Sequence, residues 1–257
     1  MTNSAKAPPA EQPVALVTGA GAPRIGSVVA RALSARGYRL AVHANTSIVD
    51  AQRLADELSA AGSESITVAA DVRDERAVSA AVRRAHDHFG RIDALVNCAA
   101  IWQKKRLEEV TADDVRRNFE INTLGTFLFC QQVGQIMVGQ TQGGTIVNFG
   151  DWAIARPYLD YAAYFPSKGA IPTLTRTFAA ELASRNPRIR VNAILPGPVM
   201  LPDDLSPSER AKAIAGTLLR REGSPQNIAQ AVVFLLENDY ITGVCLPVDG
   251  GRSVFGI

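Results

Sequence analysis

Long apolar runs are missing from this chain of 257 residues: nothing approaches the ~18 consecutive apolar residues that a membrane-spanning helix needs, so no membrane partner is expected. Cysteine is scarce. Cys98, Cys130 and Cys245 are odd in number, far apart and each set among apolar residues, which argues against a disulfide framework and against a metal site. The expected compartment is reducing, hence cytoplasmic. A surplus of either charge is also missing. The net charge of +2, with Lys104-Lys105-Arg106 as the longest basic run, leaves no field to gather nucleic acid or anionic lipid. Three histidines, His43, His86 and His88, have no evident acid or nucleophile partner, and no Gly-x-Ser-x-Gly elbow is present, so hydrolase chemistry is disfavoured.

What is present is an alternation. Short apolar runs, Val14–Val17, Leu40–Val42, Ile66–Ala69, Ala94–Val96, Thr145–Asn148, Arg190–Ile194 and Val244–Val248, are separated by segments of helical period near 25–36, 48–61, 75–89, 112–138, 160–185 and 225–237. Apolar strands covered by helices on both faces predict a single-domain, Rossmann-type, doubly wound α/β fold with a seven-stranded parallel sheet. Residues 1–12 are expected to be a flexible tail and 13–257 the domain, within which the long connection 199–222 is a candidate substrate lid.

The first strand runs into Thr18-Gly19-Ala20-Gly21-Ala22-Pro23-Arg24-Ile25-Gly26 and then a helix. Such a turn aims backbone amides and the helix dipole at one point, where a pyrophosphate can bind. Glycine turns also occur without ligands, so the strand-turn-helix context carries this reading. At the end of the second strand, His43-Ala44-Asn45-Thr46-Ser47 has no carboxylate, and the next acid is Asp50. An NAD-selective site would offer an acid to the ribose hydroxyls there; Arg24 with amide and hydroxyl donors suits a 2′-phosphate instead, so NADP(H) is expected.

Tyr164 and Lys168 lie four residues apart, on one face of a helix whose start Pro166 places close to Tyr164. An ammonium beside a phenol is expected to lower the phenol's pKa from about 10 and ready it for proton exchange with a carbonyl or imine. Asp151 stands thirteen residues before Tyr164, where it either caps a turn or joins the proton transfer.

Taken together, these motifs resemble the short-chain dehydrogenase/reductases over residues 13–252. The resemblance is carried by the glycine turn, Asp71-Val72, Asn97-Cys98-Ala99-Ala100, Asn122, Tyr164 with Lys168, Pro196-Gly197, Ile241-Thr242-Gly243 and Asp249-Gly250-Gly251. It implies that Asp71 and Val72 border the adenine, the Asn97–Ala99 turn supports the nicotinamide side, Pro196 and Gly197 also contact the cofactor, Lys168 also holds the nicotinamide ribose, and Asn122 positions a relay water. It also implies a homotetramer built through the helices carrying Asn122 and Tyr164.

Most of that family carries serine where this chain has Asp151; an aspartate there resembles the pteridine reductase branch, in which it takes part in proton delivery. Tyr161-Ala162-Ala163-Tyr164, Arg24-Ile25-Gly26 and Tyr240-Ile241-Thr242-Gly243 are similar to that branch too, while Ala100, Thr46 and the inserted Pro23 depart from it. Trp102 occupies the place of an aromatic residue that sandwiches the pterin, although it could equally plug the pocket mouth. The substrate is therefore expected to be a small molecule facing Trp102, Asp151, Tyr164 and Pro198: a pterin or dihydropterin C=N bond, or alternatively a ketone as in 3-oxoacyl reductases.

Overall fold

The computed structural model describes residues 12–201, 203 and 205–254; the expected tail, up to residue 11, lies outside them. In chain order the elements are β1 (Val14–Thr18), α1 (Ile25–Ser34), β2 (Arg39–Ala44), α2 (Ile48–Ala60), β3 (Ser65–Ala69), α3 (Glu75–Phe89), β4 (Ala94–Asn97) and α4 (Ala112–Asn118). After α4 come α5 (Gly125–Gly139), β5 (Gly144–Phe149), α6 (Tyr164–Ala183), β6 (Ile189–Pro196), α7 (Pro207–Ala215), α8 (Pro225–Glu237) and β7 (Cys245–Val248). All seven expected strands form.

They make one parallel sheet in the order β3-β2-β1-β4-β5-β6-β7. The chain reverses its direction of winding between β1 and β4, so the strand ends there splay their loops apart and leave a crevice. Two apolar cores cover the sheet. One packs Val29, Leu33, Leu54 and Val232 against Val17 and Val96; the other packs Val78, Phe129, Val133 and Leu182 against Leu16 and Ile146. Each fully buried Leu or Ile side chain contributes on the order of 1.5–3 kcal/mol, so strands buried on both faces are the rigid part of the molecule.

Helix boundaries follow local chemistry. Asp74 accepts the backbone N–H groups of Arg76 and Ala77 to start α3, and Gly90, at φ 76°, ends it. Ser224 and Asn227 form a reciprocal cap at α8, with Pro225 in the first turn.

The expected continuous helix over 112–138 is instead three pieces, because residues Phe119–Leu124 widen into a π-helical turn between α4 and α5. Apolar periodicity survives such a turn, so the sequence pattern does not reveal it. Within the connection 199–222, Ser206 and Glu209 cap a further helix, α7, that the pattern also left unmarked.

Candidate active site

Gly19 takes φ +63°, and a Cβ there would come 2.8 Å from the Ala99 Cα. At Gly21 it would reach 2.7 Å from the Ser47 carbonyl oxygen, and at Gly26 2.7 Å from the Gly19 oxygen. The turn between β1 and α1 is thus a cradle that only glycine backbone can form, with Ala99 and Ser47 against it. These residues fit a dinucleotide. Arg24 is exposed at the start of α1 and forms no ion pair among the described residues. Asp50 is paired with Arg53. Asp71 is gripped by Arg73 at 2.6 Å, which holds its carboxyl below the usual range, and Asn45 hydrogen-bonds it as well. Val72 is buried against Gly125.

Two residues expected to contact cofactor turn inward instead. His43 is fully buried: Gly19 N–H donates to its Nδ1 at 3.2 Å, and Nε2 meets the Ala70 oxygen at 3.1 Å. Desolvation pushes its pKa down to about 4, so the ring is a neutral tie between the glycine turn and the end of β3. The Asn97 carboxamide donates to Asn148 Oδ1 at 2.9 Å within the sheet, and Cys98 and Ala100 of its turn line the crevice in its place.

The crevice holds about 720 Å³ and collects Ile25, Trp102, Asp151, Tyr164, Lys168, Pro196, Gly197 and Pro198 from six separate elements and loops. β5 ends at Phe149, and Asp151 follows at the start of a single 3₁₀ turn, Trp152–Ile154. One Asp151 oxygen accepts the Ala153 N–H at 2.8 Å; the other accepts the Tyr164 hydroxyl at 2.8 Å. Asp151 therefore caps this turn and accepts from Tyr164 at the same time.

Lys168, one turn along α6, is buried and donates from Nζ to the Phe149 carbonyl at 2.7 Å. Desolvation lowers its pKa to about 8, opposed by the Asp151 charge. The expected depression of the Tyr164 pKa is reversed. Burial first, then the Asp151 carboxylate that it faces, raises this phenol well above its ordinary value, because Lys168 spends a hydrogen bond on backbone while the anion takes the phenol. Burial likewise raises Asp151. Tyr164 is therefore held protonated, with its hydroxyl donating to Asp151.

Asn122 sits behind the crevice in the π-helical turn. Its Oδ1 accepts the Ile101 N–H at 2.8 Å and its Nδ2 donates to the Ile101 oxygen at 3.1 Å and to Ser167 Oγ at 3.0 Å. Trp102 stacks on Tyr161, 4.8 Å apart and 14° from parallel, and donates Nε1–H to the Tyr158 hydroxyl at 3.2 Å. Its remaining surface faces the crevice, and Trp152 completes an aromatic wall. Tyr158 and Arg252 line the site without having been marked by any spacing; only the fold brings them there. No group of three His, Cys, Asp or Glu side chains suited to a metal occurs among the described residues, and none of their helices is long and apolar enough to cross a membrane.

A glycine cradle at the winding reversal, beside a buried Tyr-Lys-Asp cluster, defines an oxidoreductase of the dinucleotide-binding α/β type. A family model described as enoyl-(acyl carrier protein) reductase matches residues 19–253. The chain is 36% identical to the human 3-oxoacyl-[acyl-carrier-protein] reductase, covering 91% of this chain and 95% of that one. It is 37% identical to the short-chain reductase protein NovJ of Streptomyces niveus, covering 94% of each. Pteridine reductase 1 of Leishmania tarentolae is 35% identical, over 94% of this chain and 96% of its own length. The chain belongs to the short-chain dehydrogenase/reductase family, whose reductases use nicotinamide cofactors.

Proposed function

We propose that the chain is an NADPH-dependent reductase acting on the C=N bond of a pterin or dihydropterin. The observation that carries this reading is the 2.8 Å contact from the Tyr164 hydroxyl to Asp151, a carboxylate where a neutral hydroxyl would orient a simple ketone. Two raised pKa values on adjoining groups make a proton reservoir: Tyr164 gives its proton to the substrate nitrogen and recovers one through Asp151. Lys168 supplies a positive charge that steadies the phenolate as it forms. When bound, the cofactor supplies the hydride. The aromatic wall of Trp102, Tyr158 and Trp152 suits a flat ring, and the Leishmania relative carries the corresponding name.

NADP rather than NAD follows from charge. Arg24 is free to meet a 2′-phosphate, and the nearest carboxylates, Asp50 and Asp71, are each neutralised by an arginine. Residues 199–222 act as a lid: Glu222 accepts the Leu201 N–H at 3.0 Å and binds Arg210 at 2.6 Å, tying both ends of that segment together. The exposed Phe119, Leu124 and Phe127 mark the face through which the chain forms a homotetramer, to be checked by light scattering.

The human relative's name favours a second reading, reduction of a 3-oxoacyl thioester, with Asp151 as a polar orienter. NADPH oxidation with dihydropterins, simple ketones and acyl thioesters separates the two. Turnover of the pterins is expected; turnover of ketones or thioesters with none on pterins overturns the proposal.

A further inference from the structure

His43, the last residue but one of β2, has no exposed surface, yet it grips the glycine turn twice. Its ring Nδ1 accepts the Gly19 N–H at 3.2 Å, and its backbone oxygen accepts the Ala20 N–H at 3.0 Å. The other ring nitrogen, Nε2, faces the Ala70 oxygen at 3.1 Å, one residue before Asp71. A carbonyl can only accept, so Nε2 carries the ring proton and Nδ1 is left bare for Gly19. Phe129 of α5 packs edge-on against the ring, with centroids 5.1 Å apart. One tautomer and one orientation satisfy all of these contacts.

Two amides of the turn are thus spent on its inner wall. Among the described residues the N–H groups of Gly21, Ala22, Ile25 and Gly26 have no partner, and Pro23 has none to offer. Those four are the donors that remain for a phosphate. Glycine loses more freedom on being fixed than any other residue, and Gly19 sits at φ +63°. A turn of this composition therefore needs an anchor to keep its shape before a ligand arrives, and His43 supplies one from the buried strand β2.

We propose that His43 is a positioning residue for the dinucleotide: its Nδ1 bond to Gly19 preforms the phosphate cradle. Without that bond the turn relaxes into shapes that bind cofactor weakly. The inference rests on the nicotinamide cofactor of the family and is independent of the substrate. It holds for NADP(H) and NAD(H) alike, since both carry the pyrophosphate.

The two ring bonds can be cut separately. In His43→Asn the side-chain oxygen stands where Nδ1 stood and still accepts from Gly19; in His43→Gln the longer amide serves Ala70 and gives up Gly19. Each variant loses one bond of the two, so urea unfolding should show similar losses of stability. Dissociation constants for NADPH and NADH, from the fluorescence of the bound dihydronicotinamide, should separate them. His43→Asn is expected to stay within about threefold of the natural chain. His43→Gln should bind about tenfold more weakly, by the same factor for each cofactor that the natural chain binds, as when the cradle is formed in only about a tenth of the molecules. Affinity that falls equally in both variants follows stability alone and overturns the proposal. So does an unchanged affinity in His43→Gln, or a loss for one bound cofactor and not the other. If the variants do not fold, nitrogen-15 shifts of the His43 ring in the natural protein decide. A bare Nδ1 whose signal moves when NADP+ binds supports the proposal; a proton on Nδ1, or a signal indifferent to NADP+, overturns it. Binding of neither cofactor by the natural chain overturns the cofactor reading and this inference with it.

Discussion

The Tyr164 hydroxyl donates to Asp151 Oδ2 at 2.8 Å, joining the first residue of α6 to the loop that leaves β5. The other Asp151 oxygen is fixed by the Ala153 N–H, so the carboxylate cannot swing away from the phenol without giving up a backbone bond. Removing either partner should therefore depress the chemical step more than cofactor binding. For Tyr164→Phe and Asp151→Ser, kcat on dihydropterin should fall about 10²–10⁴-fold, the range for loss of a positioned proton donor. NADPH affinity, measured by fluorescence titration, should move less than about threefold. An Asp151→Ser variant with full pterin turnover would remove Asp151 from the mechanism.

Lys168 should set the alkaline limit of activity. Burial lowers its pKa to about 8, so the ammonium is present below that pH and lost as pH rises through it. The expected profile of kcat/KM declines above about pH 8. In Lys168→Arg, whose guanidinium does not titrate in this range, any residual activity should extend to higher pH. A limb that stays in place in that variant assigns it to another group.

His43 should make the fold acid-sensitive. Its pKa falls from the ordinary 6.5 to about 4, so the unfolded chain binds the extra proton first. Its contribution is complete above pH 6.5 and is lost as pH falls toward 4. The total is about 3 kcal/mol, of which about 2 kcal/mol disappears between about pH 7 and pH 5. Urea unfolding at those two pH values should show this drop in the natural chain and a smaller one in His43→Gln. Equal drops would mean that other groups carry the dependence.

Arg24→Ala should raise the KM for NADPH about tenfold and leave the KM for NADH unchanged, because only the former offers a 2′-phosphate. A parallel rise in both would place Arg24 against the pyrophosphate instead.

Much of this fold was legible because strands buried on both faces read as uninterrupted apolar runs, and Gly19, Gly21 and Gly26 announce their turn by standing between the first strand and a helix. Tyr164 and Lys168 were legible for a similar reason, since four residues place two side chains on one helix face. The direction of the Tyr164 pKa shift was not. It depends on which group the phenol meets, and only folding shows that Lys168 turns to the Phe149 carbonyl while Asp151 takes the hydroxyl. His43 was misread as a cofactor contact because residues at a strand's end alternate between facing ligand and facing core, and a single sequence gives no sign of which. Tyr158 and Arg252 belong to no motif: the loop before α6 and the end of the chain converge only through the sheet.

The Asn122 carboxamide pairs with both the N–H and the oxygen of Ile101, as a neighbouring strand would, and also donates to Ser167, whose hydroxyl binds the Tyr164 carbonyl at 2.6 Å. Ile101 precedes Trp102, whose indole lines the crevice, and Tyr164 faces that crevice from α6. One amide thus works as a bracket bolting the loop that carries Trp102 to the helix that carries Tyr164. Errors of placement in the two parts are shared rather than independent, so an enzyme engineer who widens the wall at Trp102 should expect to retune the proton donor as well.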